Sequence, residues 1–194
     1  TAQHDVTEAL ALLFDRLNSV DERAMETLSL ARGGAWARPW DEESTCSTPM
    51  WRNLQMAFVN VLHCTQCGAR SEKRERLFAL PVHLPEAPRL LEMLLGDHWG
   101  PQPLKEGEEP YHCPAACGNN GAVTKVVTPV QWPSVLILSL KRWRHQRIDG
   151  QWRLNKVHTR ISFETLLLVG HGAPPYHLRG VIVHVGEHAG GGHY

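Results

Sequence analysis

The 194-residue chain has no surplus of charge of either sign, with Lys plus Arg and Asp plus Glu at 20 each. That balance argues against a generic nucleic-acid or membrane-surface binder, so neither nucleic acid nor a membrane is expected as a partner. No apolar run approaches the ~20 residues of a membrane span. The best, VLILSL at 135–140, has the length of a strand. The opening residues TAQHD have neither a basic nor an apolar region, so no secretory signal is expected. An initiator Met is also lacking, which with the abrupt end at Tyr194 points to a piece of a longer polypeptide. Cysteine is scarce and odd in number: four of the five lie in two close pairs, and Cys46 stands alone. Such a count fits a reducing compartment with a metal site better than a secreted disulfide framework, so an intracellular location is expected.

What is present divides into helices first and strands after, which favours α+β over alternating βαβ units. In QHDVTEALALLFDRLNSV, Val6, Leu10, Leu13 and Leu17, joined by Ala9 and Phe14, form one apolar stripe at helical spacing. Asp5 followed by Glu8 resembles a capping box. A second short helix is predicted over 21–30, a loop over 31–50, a helix over 87–97 and a loop over 100–110. LQMAFVNVLHC changes to the period of a strand, with Leu54, Met56 and Phe58 on one face and Ala57, Val59 and Val61 on the other. RSEKRERLFALPVHL reads as one long strand, polar and then apolar. AVTKVVT, VLILSLKRW, RISFETLLLV and YHLRGVIVHVG complete the β-rich segments.

Cys64-Thr-Gln-Cys67-Gly68 and Cys113-Pro-Ala-Ala-Cys117-Gly118 each present two thiols across a tight turn closed by glycine. Zinc takes four tetrahedral N/S ligands, and two such pairs supply them, so Cys64, Cys67, Cys113 and Cys117 are the expected ligands of a structural zinc. Two local disulfides or free thiols are the alternatives. His63 and His112 precede the pairs and are weaker substitute ligands, while Cys46 has no Cys or His partner nearby. A closed four-sulfur site would hold a shape and perform no chemistry.

The end of the chain, HVGEHAGGGHY, removes side chains at Gly190, Gly191 and Gly192 just before His193. This suits a slot through which another backbone passes, with His193 as a general base on the strand returning from a glycine turn. The bland alternative is a glycine-rich hairpin with a decorative histidine. His184 and His188 are runner-up bases. With the return strand cut at Tyr194, GVIVHVG is expected to keep unpaired backbone groups, and the isolated chain is expected to be poorly soluble.

Taken in order, these motifs resemble the ubiquitin-specific protease family. QHDVTEALALLFDRL resembles its Q-x-D-x-x-E helix, CTQCG and CPAACG the halves of its zinc ribbon, PSVLILSLKRW its hydrophobic strand, and VIVHVGEHAGGGHY its His box. The resemblance runs from residue 3 to 194. It implies an incomplete papain-like cysteine protease hand, with thumb helices and loop at 1–53, zinc-ribbon fingers at 54–128 and an antiparallel β palm with the His box at 129–194. It also implies a thiol-dependent deubiquitinase, cytoplasmic or nuclear, that hydrolyses (iso)peptide bonds after the C-terminal Gly of ubiquitin. His193, itself oriented by an Asp or Asn, would activate the attacking cysteine. Asp5 and Glu8 would meet the Arg-containing ubiquitin tail, or act only as acids at a helix N-terminus. Gly190 to Gly192 would line the passage for the two terminal glycines. The nucleophile and the orienting residue of the family lie outside these 194 residues, so the chain alone is expected to be inactive. A non-catalytic ubiquitin binder and a zinc-ribbon module unrelated to ubiquitin are the competing readings.

Overall fold

The computed structural model describes residues 6–31, 53–103, 113, 115, 117, 123–148, 150–186 and 193. Helix α1, Val6–Ala31, is continuous where two helices were expected. No Gly or Pro interrupts it, and polar side chains bond back along it: Ser19 Oγ donates to the Arg16 carbonyl, Arg23 Nε to that of Ser19 and Thr27 Oγ1 to that of Arg23. Of its apolar stripe, Phe14 packs against Phe78 with ring centroids 5.4 Å apart, while Leu13 and Leu17 stay exposed.

Strands β1 (Met56–Cys64), β2 (Arg70–Leu77), β5 (Gln102–Pro103) and β6 (Val123–Gln131) form an antiparallel sheet in the order β2–β1–β6–β5. β5 lies inside the stretch predicted as loop. The predicted long strand over 70–84 is broken at Phe78. Its first part pairs with β1 until Met56 meets Leu77, where β1 runs out. The second part, β3 (Ala79–His83), turns to a new partner, β7 (Ile137–Lys141), and the two run parallel from Ala79 opposite Ile137 to His83 opposite Lys141. A short parallel pair joins β4 (Arg89–Leu90) to β10 (Ile161–Ser162). The architecture is thus mixed helix and sheet, mostly antiparallel, as expected for α+β.

Helix α2, Leu91–Trp99, buries Leu91, Leu94, Leu95 and Trp99, the i, i+3, i+4, i+8 face of a helix. That face closes the core over Met56, Phe58 and Val127 of the first sheet and Leu80 and Val82 of β3. Leu95 is fully buried, and Trp99 meets Trp132 edge-on at 5.5 Å.

β8 (Trp143–Ile148) and β9 (Gln151–Lys156) form a hairpin that the sequence reading missed. Its signal was there: alternating side chains around an Asp149-Gly150 pair, with Gly150 at φ 78°, a value that glycine adopts freely. Conversely, the strands predicted over 160–169 and 176–186 shrink to β10, β11 (Leu166–Leu167) and β12 (Tyr176–His177). Val181, Ile182 and Val183 alternate poorly with polar residues, lie more than half exposed and pair with no strand among the described residues. An apolar β-branched run marks readiness to be a strand. The strand itself needs a neighbour to take its hydrogen bonds.

Candidate functional site

The cysteine cluster follows from the register of the first sheet. β1 and β2 are joined by a turn in which Gly68 N–H donates to the Cys64 carbonyl at 3.0 Å and Cys64 N–H to that of Ala69 at 2.9 Å. Gly68 sits at φ 73°, the left-handed conformation expected of the residue after the first pair. β1 pairs with β6 so that Cys64 lies opposite Val123. The chain leading into β6, which carries Cys113 and Cys117, is thereby delivered beside the first turn.

The four Sγ atoms all lie within 4.8 Å of one another. Cys64 and Cys117 are 3.7 Å apart, and Cys67 and Cys113 3.5 Å. A zinc ion with Zn–S bonds of about 2.3 Å sets tetrahedral S···S edges at about 3.8 Å. The donor set and its spacing therefore fit such an ion. Local disulfides within each pair do not describe this geometry, because no S–S bond joins any of the four cysteines and the near contacts run between the pairs. His63 is exposed and stands outside the group, and His112 and Cys46 lie outside the described residues.

Electrostatics favours a cation here. The Ala69 N–H is the largest single influence on the Cys67 thiol and stabilises its thiolate. Hydrogen bonds shared with Cys113, Cys117 and Cys64, with slight desolvation, outweigh it and push the thiol up to about 12. Several thiolates this close repel one another, and a divalent cation is what lets them all ionise.

His193 is brought to Val185 across a single antiparallel bridge. Val185 N–H donates to the His193 carbonyl at 2.7 Å, and His193 N–H to that of Val185 at 2.9 Å. Gly186, at φ 144°, turns the chain out of its extended path directly after Val185. His193 itself is exposed. His184 lies edge-on to the Trp143 ring at 5.6 Å, which makes it part of the packing below the bridge. Asp5, His188, Gly190, Gly191 and Gly192 lie outside the described residues. Glu8 falls in the first turns of α1, and its side chain is not described. An open depression of about 240 Å³ on the sheet, lined by Asn60, Leu62, Ser71, Lys73, Glu75 and Lys125, includes neither His193 nor the cysteines.

Sequence reasoning did not single out Lys156 and Arg142. Lys156 Nζ donates to the carbonyls of His184 and Gly186, and Arg142 Nη1 to those of Val157 and Thr159. Their long-range carbonyl partners leave no local pattern in the sequence.

Among known proteins, the chain is similar to ubiquitin carboxyl-terminal hydrolase 25 of Arabidopsis thaliana, 25% identical over 146 residues, which are 71% of this chain and 21% of that protein. It is 27% identical over 146 residues to ubiquitin carboxyl-terminal hydrolase 48 of Gallus gallus, covering 72% of this chain and 14% of that protein. Among solved structures, the SAGA Ubp8/Sgf11/Sus1/Sgf73 DUB module bound to ubiquitin aldehyde matches with a TM-score of 0.71 at 19% identity, covering 100% of this chain and 41% of that one. The Ubp8 module bound to monoubiquitin gives 0.70 at 20%, with 100% and 40% covered. The chain thus spans well under half the length of these relatives, and the structural likeness establishes the fold. The family model for ubiquitin carboxyl-terminal hydrolases matches residues 1–194 throughout, and the chain belongs to that family.

Proposed function

We propose that these residues form part of a deubiquitinase that hydrolyses (iso)peptide bonds after the C-terminal glycine of ubiquitin. The position of His193 carries this reading: an exposed imidazole on a backbone bridge that follows three glycines in sequence. A neutral His193 takes the proton of a cysteine thiol, and the thiolate attacks the carbonyl of the terminal glycine. The imidazolium then returns the proton to the departing amine. The resulting thioester is hydrolysed by water that the same histidine activates. The nucleophile comes from outside these 194 residues. Cys64, Cys67, Cys113 and Cys117 form the sulfur cluster, and the sequence flanking Cys46 has no Gly-Asn-x-Cys-like pattern. Gly190 to Gly192 leave room for the diglycine end of ubiquitin, and Asp5 and Glu8 pair with its arginines. Residues 1–53, 54–128 and 129–194 correspond to thumb, fingers and palm. Zinc bound by the four cysteines supplies metal–sulfur bonds that join two remote turns, and it takes no part in the reaction.

The test is hydrolysis of a ubiquitin C-terminal coumarin amide by the full-length protein. His193→Ala is expected to lower kcat/KM by about a thousandfold or more. Hydrolysis at the wild-type rate by that variant would refute the assignment. Binding of ubiquitin with no cleavage by the wild-type protein would point to a non-catalytic binder.

A further inference from the structure

Val185 and His193 exchange both of their backbone hydrogen bonds, the arrangement of a hydrogen-bonded pair in an antiparallel ladder. In an extended chain, successive residues present their polar groups to opposite sides. The His184 carbonyl therefore faces away from His193, toward the place where a third strand would lie, and the bend at Gly186 brings a second carbonyl to the same donor, Lys156 Nζ. No strand occupies that place among the described residues. The Lys156 side chain stands in that place instead, with Nζ donating to His184 O at 3.1 Å and to Gly186 O at 2.6 Å. One ammonium thus takes the two carbonyls that flank Val185, while Val185 itself holds His193.

Lys156 is well suited to this work. It is half-buried, lies 5.8 Å over the Trp143 ring and has no carboxylate partner among the described residues. Its backbone is fixed as the last residue of β9, opposite Trp143. The next residues are anchored in turn. Val157 N–H donates to the Arg142 carbonyl at 2.6 Å, Arg142 Nη1 holds the carbonyls of Val157 and Thr159, and Thr159 Oγ1 donates to those of Pro85 and Glu86. A continuous line of hydrogen bonds runs from the 85–86 turn, next to buried Leu84, through the base of the hairpin to the segment that carries His193.

We infer that Lys156 is a positioning residue for His193: its ammonium stands where no strand lies among the described residues, and fixes the backbone on which the histidine is hung. The inference rests on the reading of His193 as the general base. A positioning role predicts a fault in turnover, since the distance and angle of a proton transfer matter most in the transition state.

Two variants test it in the full-length protein. Lys156→Met keeps the apolar stem and removes the donors, and Lys156→Arg keeps donors and charge. Lys156→Met is expected to lower kcat on the ubiquitin coumarin amide by about tenfold or more with KM within about twofold, and Lys156→Arg to restore much of the loss. Amide hydrogen exchange gives a readout independent of activity. In Lys156→Met, the Val185 and His193 amides should exchange at least about tenfold faster, while Val61 and Val126 in the β1–β6 ladder keep their wild-type rates. Unchanged exchange at Val185 and His193, an unchanged kcat, or a loss confined to KM would overturn the proposal. Faster exchange throughout the β1–β6 ladder would also overturn it, by showing a general structural role. Faster local exchange in Lys156→Met, found together with a wild-type protein that hydrolyses nothing, would sink the catalytic reading and leave Lys156 as the clamp of residues 184–186.

Discussion

The turns that carry the four cysteines and the segment that carries His193 are held by opposite means. Cys64 stands at the end of a strand paired on both sides, from Met56 opposite Leu77 to Cys64 opposite Val123. The ladder does the long-range work, and the sulfurs need only a cation to lock a meeting already arranged. Among the described residues of the His193 segment, 178–186 and 193, there is no ladder. Val185 holds His193 by one bridge, a side chain from another hairpin holds the carbonyls on either side, and the apolar Val181, Ile182 and Val183 face solvent. A site that only fixes shape can be closed and redundant. If the His193 segment admits a substrate, as proposed, its backbone must stay accessible and be secured from beneath.

Removing the metal is the strongest way to separate the two regions. Cys64→Ser in reducing buffer, or chelation of the wild-type protein, is expected to take zinc from one ion per chain to none by elemental analysis. The cost in stability should be several kcal/mol, below the ~10–16 kcal/mol that zinc gives peptides with no sheet to support them. Exchange should rise around 64–69 and at the start of β6, while the Val185 and His193 amides stay as they were. A metal-free protein with an unchanged melting temperature would show that the ladder alone suffices.

Next in size is a matched pair of aliphatic truncations. Leu95→Ala cuts a fully buried side chain on α2 and is expected to cost about 2–5 kcal/mol. Ile182→Ala cuts a side chain that is 58% exposed and is expected to stay within about 0.5 kcal/mol. Urea denaturation of both variants reads the difference directly. Equal costs would mean that residues 178–186 are packed in solution, against the contrast drawn between the two regions.

How legible each region was in the sequence follows the same division. The cysteine cluster was readable because ligand type, spacing and the glycine after the first pair are all local signals, and Gly68 indeed takes a positive φ. The buried face of α2 was readable from its helical period. The merger of two predicted helices into α1 required noticing that nothing in Asn18-Ser19-Val20-Asp21 ends a helix. Where partners decide, sequence reasoning failed. The exit of the chain at Phe78 depends on where β1 ends, and the apolar run 181–183 looks like a strand whether or not a neighbour exists to complete it. Lys156 gave no signal at all, since its partners are backbone carbonyls about 30 positions away. The His box was read by resemblance, whereas the contacts of Lys156 with residues 184 and 186 could be found only in the fold.

The smallest expected effect is a dependence on pH that belongs to the packed region and not to the His193 segment. His98 lies in the last turn of α2, edge-on to Trp99 at 4.6 Å, and burial lowers its pKa from the usual 6.5, with the charges of Lys125 on β6 and His83 on β3 acting in the same direction. Folding therefore favours the neutral imidazole. Below pH 6.5 the unfolded chain binds the proton more readily than the folded one, so the stability contributed by neutral His98 is complete above that value and is lost as pH falls through the depressed folded value. Partial exposure keeps the effect small, because solvent screens the charge. His98→Gln should make the melting temperature less sensitive to acid than the wild type, by about a degree or two between pH 7.5 and 5.5. Comparing the two proteins at each pH cancels the contribution of the sulfur cluster, which also weakens in acid as its thiols reprotonate. Parallel melting curves across that range would remove His98 as the origin of the slope.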